Sequence, residues 1–171
     1  CPMRKPLVVM SPKSLLRHKE TTSTLEELAK GTFQVVIGET DDLPVNKVER
    51  IILCSGKVYY DLRQERRNRG IDNIAIIRLE QLYPFPSDDL REAMKKFPNF
   101  NEVMWCQEEP MKQGAWYSSQ HHKRRVTQEI KPDVPLNYAG RDASASPAAG
   151  YPALHQEQMR RYLDQALTIN K

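Results

Sequence analysis

Continuous apolar runs and amphipathic runs take turns along this chain. Leu7 to Met10 (LVVM) has the pattern of a short strand buried on both faces. Phe33 to Ile37 (FQVVI), Val48 to Cys54 (VERIILC), Asn73 to Leu79 (NIAIIRL) and Val103 to Cys106 (VMWC) repeat it. Leu136 to Ala139 predicts a further short strand.

Helical signals fill the gaps. Ser11 and Pro12 open a short helix, SPKSLLRH, with the serine as N-cap and the proline in its first turn. Ser23 and Glu26 have capping-box spacing ahead of Leu25, Leu28 and Ala29, and Gly31 supplies a stop. Ser55 and Gly56 turn the chain into KVYYDLRQERRNRG, where Val58 and Leu62 share a face and Gly70 ends the helix. Ser87 caps the next helix, with Asp88 and Asp89 in its first turn, where the dipole favours anions. Leu90, Ala93, Met94 and Phe97 form its apolar stripe. Further helices are predicted over Ala115 to Arg125 and around Met159, Tyr162, Leu163, Ala166 and Leu167.

Strands separated by helices imply crossover units. The expectation is an α/β fold, a mostly parallel twisted sheet of about five strands with helices on both faces, in a single domain spanning 1–171. The acidic ETDDLPVNK segment (39–47) reads as a surface loop. The small-residue run from Ala139 to Gly150 is either a flexible loop or a backbone path held closely against something.

Composition changes this picture little. With 39% hydrophobic and 28% charged residues, the chain reads as globular, and no apolar run reaches membrane-spanning length. It starts with Cys1 rather than Met and shows no signal-peptide pattern, so a fragment of a longer cytoplasmic protein is expected. The net charge is +4. The densest basic runs, Arg63 to Arg69 and Lys123 to Arg125, read as solvated helix faces rather than a nucleic-acid surface. Cys1, Cys54 and Cys106 have no paired spacing and suggest reduced thiols, the latter two buried.

Candidate chemistry gathers after the strands. Gln107, Glu108 and Glu109 follow an apolar run, where open α/β sheets bind ligands. Adjacent strand residues point to opposite faces, however, so the two glutamates are not expected to serve one substrate atom. His121 and His122 are adjacent, which is wrong for a helical metal pair, and read as surface or interface residues. Ser55-Gly56-Lys57 is either an anion site at a helix N-terminus or a plain strand-to-helix turn. Arg141, in its small-residue loop, is a second anion candidate. No Gly-rich nucleotide loop and no complete active site is present in this pattern.

Five segments taken together carry a resemblance. SPKSLLRH (11–18), CSGKVYYDL (54–62), RLEQLYPFP (78–86), WCQEEPMKQGAW (105–116) and YAGRDASASPAAG (138–150) are similar, in order and spacing, to the C-terminal domain of bacterial 2-oxoglutarate dehydrogenases. That family is thiamin-diphosphate-dependent and forms the first component of its complex. The resemblance implies the third domain of a transketolase-like subunit. It implies a parent oxidoreductase of the tricarboxylic acid cycle that decarboxylates 2-oxoglutarate on thiamin diphosphate with Mg²⁺. The succinyl group then passes to the lipoyl arm of dihydrolipoyl succinyltransferase.

The family's cofactor and substrate residues lie in upstream domains, so no catalytic, cofactor or metal residue is carried over. The isolated domain is expected to be inactive and to expose apolar patches near the ends of its sheet. The implied role is support of the homodimer, with Trp105, Gln107, Glu108 and Gln113 anchoring a loop or interface. A regulatory module for an anionic metabolite, a nucleotide or acyl-CoA, is the alternative, with Lys57 and Arg141 as its candidates. A 2-oxoadipate-specific relative is another. Neither nucleic acid nor membrane is an expected partner.

Overall fold

The computed structural model describes residues 4–169, so Cys1 lies outside the described residues. The chain divides into two units, residues 1–32 and 33–171.

In the first unit, Leu7 to Met10 is not a strand, and these side chains are 68–92% exposed. A strand needs a ladder partner and a covered face, and no other segment of residues 4–32 forms either. The predicted SPKSLLRH helix reduces to a 3₁₀ turn, Lys13–Leu15, and Pro12 rather than Ser11 stands at its N-cap. Helix α1 (Leu25–Lys30) does carry a capping box, one residue later than expected. Thr24 Oγ1 accepts from Glu27 N at 3.1 Å, and Thr24 N donates to Glu27 Oε2 at 2.7 Å. Ser23/Glu26 and Thr24/Glu27 have the same spacing, so pattern alone does not separate them. Gly31 ends the helix, its N–H donating to Glu27 O.

The second unit holds β1 (Val36–Ile37), β2 (Arg50–Cys54), α2 (Val58–Asn68), β3 (Ile74–Leu79), α3 (Ser87–Lys95), β4 (Glu102–Pro110), α4 (Trp116–Ile130), β5 (Leu136–Arg141) and α5 (Pro152–Leu167). The five strands form one sheet in the order β1-β3-β2-β4-β5, parallel except for the antiparallel edge strand β1. Alternate residues of the strands feed two cores. Leu53, Ile77 and Trp105 pack under α3 and α4. Ile52, Ile76, Met104 and Cys106 pack under α2 and α5. Helices therefore cover both faces, as the alternation of apolar runs requires. Ser87 is the first helical residue of α3, and Pro86 takes the N-cap position without a side-chain bond.

Several polar residues of this unit are more deeply built in than their sequence context suggests. The 39–47 segment is irregular except for a 3₁₀ turn at Val45–Lys47, but Glu39 works inside the fold. Its carboxylate accepts from Ile76 N at 2.7 Å, in place of a continued ladder, which helps to explain why β1 is only two residues long. It also binds Arg66, which is 1% exposed. Asp41 accepts from Arg63, Arg66 and Arg67 at 2.7–2.8 Å. The Arg63 to Arg69 run is therefore partly a clamp rather than a solvated face. Lys123 departs further from expectation, being wholly buried. Helix geometry turns it inward, onto the same side as Ser119 and Thr127, while Arg124 and Arg125 stay exposed. Arg50, 4% exposed, bonds Glu102 and donates to the last carbonyls of α5, including Ala166 O at 2.7 Å. Among the described residues, no helix is long and apolar enough to cross a membrane.

Candidate functional site

The strand order reverses direction at β2. From β2 the chain first adds β3 on one side, then crosses to β4 on the other. The carboxyl ends of β2 and β4 thus flank a topological switch point, the usual place for a ligand in an open α/β sheet. Ser55, Gly56 and Lys57 leave β2 here, and Gln107, Glu108 and Glu109 belong to the end of β4.

The pairing of β4 with β5 is regular to Cys106↔Ala139 and resumes at Pro110↔Arg141, with a register shift between them. Such an irregularity re-aims side chains. Glu108 and Glu109 consequently border one cavity of about 260 Å³, together with Lys57, Arg141 and His155. Glu109 also borders a second cavity with Trp105 and Gln107, whereas Glu108 pairs with Lys57, so the two carboxylates keep different surroundings.

Lys57 and Arg141 are distant in sequence and meet in this cavity. They differ in how their charges are met. Lys57 Nζ lies 2.5 Å from Asp61 Oδ2 and 3.5 Å from Glu108 Oε2. Burial disfavours its charged form, but these carboxylates outweigh that and raise its pKa above the ordinary lysine value. Lys57 takes a helical conformation at the N-cap of α2 and makes no side-chain cap bond. Arg141 is 8% exposed. Its Nη1 donates to Pro147 O at 2.9 Å, which ties the small-residue segment back to β5, while its Nε is buried without a partner.

A second cavity, about 240 Å³, lies alongside and is bordered by Ser55, Leu82, Trp105, Gln107, Glu109 and Gly114 among others. Gln107 is its hub. Its Oε1 accepts from Trp105 Nε1 at 2.8 Å and from Trp116 N at 3.1 Å. Its Nε2 faces the carbonyls of Glu109, Pro110 and Gln113 at 2.8–3.2 Å. One amide thus closes the 110–116 turn onto the strand. Gly114 permits that closure. Its φ is +64°, and a Cβ there would stand 3.0 Å from the Gln107 amide oxygen. Gln113 Nε2 reaches Ala145 O at 3.3 Å, linking the turn to the 139–150 segment. Trp105 is 1% exposed and belongs to the core.

Beneath Trp105 lies Lys123. Its Nζ is 3.2 Å from the centroid of the Trp105 ring and donates to Ser119 Oγ at 3.0 Å. Burial pushes its pKa down to about 6. No spacing in the sequence marked Lys123 as different from its basic neighbours. Cys54 and Cys106, paired in register, are buried, and burial pushes both thiols well above the ordinary range. That suits structural rather than nucleophilic thiols. His121 is exposed, and the His122 ring stacks on Phe85 at 5.0 Å. Among the described residues, no group of three or more His, Cys, Asp or Glu is placed to hold a metal ion.

The arrangement can orient and hold a small polar molecule, but it presents no nucleophile activated by a base. Comparison with known proteins gives it a setting. The chain is 57% identical over 168 residues to the 2-oxoglutarate dehydrogenase E1 component of Azotobacter vinelandii, covering 98% of this chain and 18% of that protein. It is 51% identical over 167 residues to the E1 component of Haemophilus influenzae, with the same coverage. For the Cupriavidus necator E1 component the identity is 52% over 163 residues, covering 95% of this chain and 17% of that protein. The chain thus spans under a fifth of the length of these relatives. The model of the family "2-oxoglutarate dehydrogenase C-terminal" matches residues 22–167, and the chain belongs to that family.

Proposed function

We propose that this chain is a supporting domain of the E1 component of a 2-oxoglutarate dehydrogenase, a cytoplasmic enzyme of the tricarboxylic acid cycle. The observation that carries this reading is the family match over residues 22–167, joined to 57% identity with an E1 component along nearly the whole chain. In the proposed parent, 2-oxoglutarate is oxidatively decarboxylated on thiamin diphosphate with Mg²⁺. The succinyl group is then delivered to the lipoyl arm of dihydrolipoyl succinyltransferase.

The residues present here do not fit that cofactor. Glu108 and Glu109 border the cavity at the switch point and would repel a diphosphate. The described residues also form no metal-holding group. The cofactor is accordingly assigned to the rest of the subunit, and no catalytic step is derived through this chain.

Its contribution is anchoring. Trp105, Gln107 and Gln113 brace a turn at the carboxyl end of the sheet, and Glu108 ties it to Lys57. At the same end of β3, Leu82 and Tyr83 are 38% and 91% exposed and offer an apolar contact to the upstream domains or a second subunit. The test is to produce the upstream part of the subunit with and without this chain. Thiamin-diphosphate-dependent decarboxylation and dimerisation are then assayed, with 2-oxoglutarate and 2-oxoadipate as competing substrates. Activity that depends on this chain, in cis or in trans, is the expected result. Full activity and normal dimers without it would remove the supporting role.

A further inference from the structure

Three buried arginines permit a direct comparison. Arg50 is met by Glu102, and Arg66 by Glu39 and Asp41. Arg141, 8% exposed, has no ion-pair partner among the described residues, and its buried Nε donates to nothing. An unmet buried guanidinium N–H is costly, and native structures rarely leave one without a purpose. Arg141 as a residue also borders an open cavity at the topological switch point, where the fold presents ligands. A guanidinium without an ion-pair partner among the described residues, a cavity and the topology coincide at one place.

The walls narrow the ligand class. A guanidinium edge suits a carboxylate or a phosphate. Lys57 supplies little free positive charge, since Asp61 and Glu108 already hold it. Glu109 is exposed and has no ion-pair partner among the described residues. Arg141 on one wall is therefore balanced by Glu109 on another. A polyanion would gain one contact and meet two carboxylates. A ligand with one anionic head and one cationic group would use both walls. About 260 Å³ fits a molecule of amino-acid size better than a nucleotide or an acyl-CoA. Nearby, the Tyr162 hydroxyl is also buried without a partner, and Asp61, Glu108 and Glu109 act on it electrostatically.

We propose that the cavity bordered by Arg141 and Glu109 binds a small zwitterion of the α-amino-acid class, its carboxylate on the Arg141 guanidinium and its ammonium toward Glu109. The inference stands on this chain's own residues and does not depend on the activity of the parent enzyme.

Calorimetric titration of the complete subunit with L-alanine, L-glutamine, succinate, inorganic phosphate and AMP tests it. The zwitterions are expected to bind in about the millimolar range, with succinate and phosphate at least about tenfold weaker. Arg141→Gln is expected to abolish binding of the zwitterions. Because that variant also loses the bond to Pro147 and could unfold, Glu109→Gln provides a second test at an exposed residue. It is expected to weaken the zwitterions and strengthen succinate, reversing their order. The proposal is overturned if no zwitterion binds at about 10 mM, if phosphate or AMP binds more tightly, or if E109Q leaves the order unchanged. It is also overturned if a structure of the complete subunit shows Arg141 paired with a carboxylate side chain from outside this chain.

Discussion

Two helices on opposite faces of the sheet each bury a cation, in contrary ways. Arg66 on α2 is held by Glu39 and Asp41 and also donates to Ile74 O. Lys123 on α4 has a tryptophan ring and one hydroxyl, with no ion-pair partner among the described residues. The difference follows from side-chain chemistry. A planar guanidinium with five donors can be fully met by two carboxylates and a carbonyl. A lysine ammonium can instead give up its proton, and burial pushes Lys123 toward that neutral state. One helix keeps its charge by pairing; the other is driven to shed it.

The strongest way to break the contrast is Arg66→Met. Removing Arg66 leaves the nearly buried Glu39 without its cation, while Asp41 keeps Arg63 and Arg67, at a cost of roughly 3–5 kcal/mol in urea unfolding. Asp41→Asn should cost less, roughly 1.5–3 kcal/mol at neutral pH. Burial opposes ionisation of Asp41, but Arg67, Arg63 and Arg66 overcome it and hold its pKa well below the ordinary 3.8. Its contribution is therefore present above pH 3.8 and lost as pH falls toward its lower folded value. The gap between wild type and D41N should shrink correspondingly in acid.

Lys123→Met should change stability in the other direction. Thermal and urea unfolding at pH 7 should show a gain of about 1–2 kcal/mol, limited by the attraction of the Trp105 ring for the cation. The pH profile sharpens this. Between pH 6 and 10.5 the unfolded chain binds more protons at this lysine than the folded one, so stability rises with pH across that window. The slope from this residue is at most about 1.4 kcal/mol per pH unit and should be absent from K123M. A wild-type profile with no such component would mean that Lys123 stays charged on its ring. The smallest effect is expected for Glu92→Gln, which breaks an exposed pair with Lys95 and should stay within about 0.5 kcal/mol.

Much of the fold was legible because apolar runs such as RIILC and IAIIRL can satisfy themselves only in a covered parallel sheet. The run Leu7 to Met10 has the same local look and no strand. Local pattern reports what a segment can do, while a strand also requires a neighbour. The residues Lys57 and Arg141 stood out singly in the sequence, one in a strand-to-helix turn and the other, which the fold makes the last residue of β5, in a small-residue run. Their meeting in one cavity was not visible, since it depends on β4 lying between β2 and β5.

The sequence by itself determined the class of the domain, its helices and most of its strands, and its family, because hydrophobic period, turn residues and motif order are local properties of the chain. Tertiary structure alone decided the rest. It set the strand order, placed Glu109 and Arg141 on one cavity, paired Arg66 and left Lys123 without an ion-pair partner among the described residues. The physical reason is that a charge's state depends on what surrounds it, and the surroundings of a buried group come from segments far away along the chain.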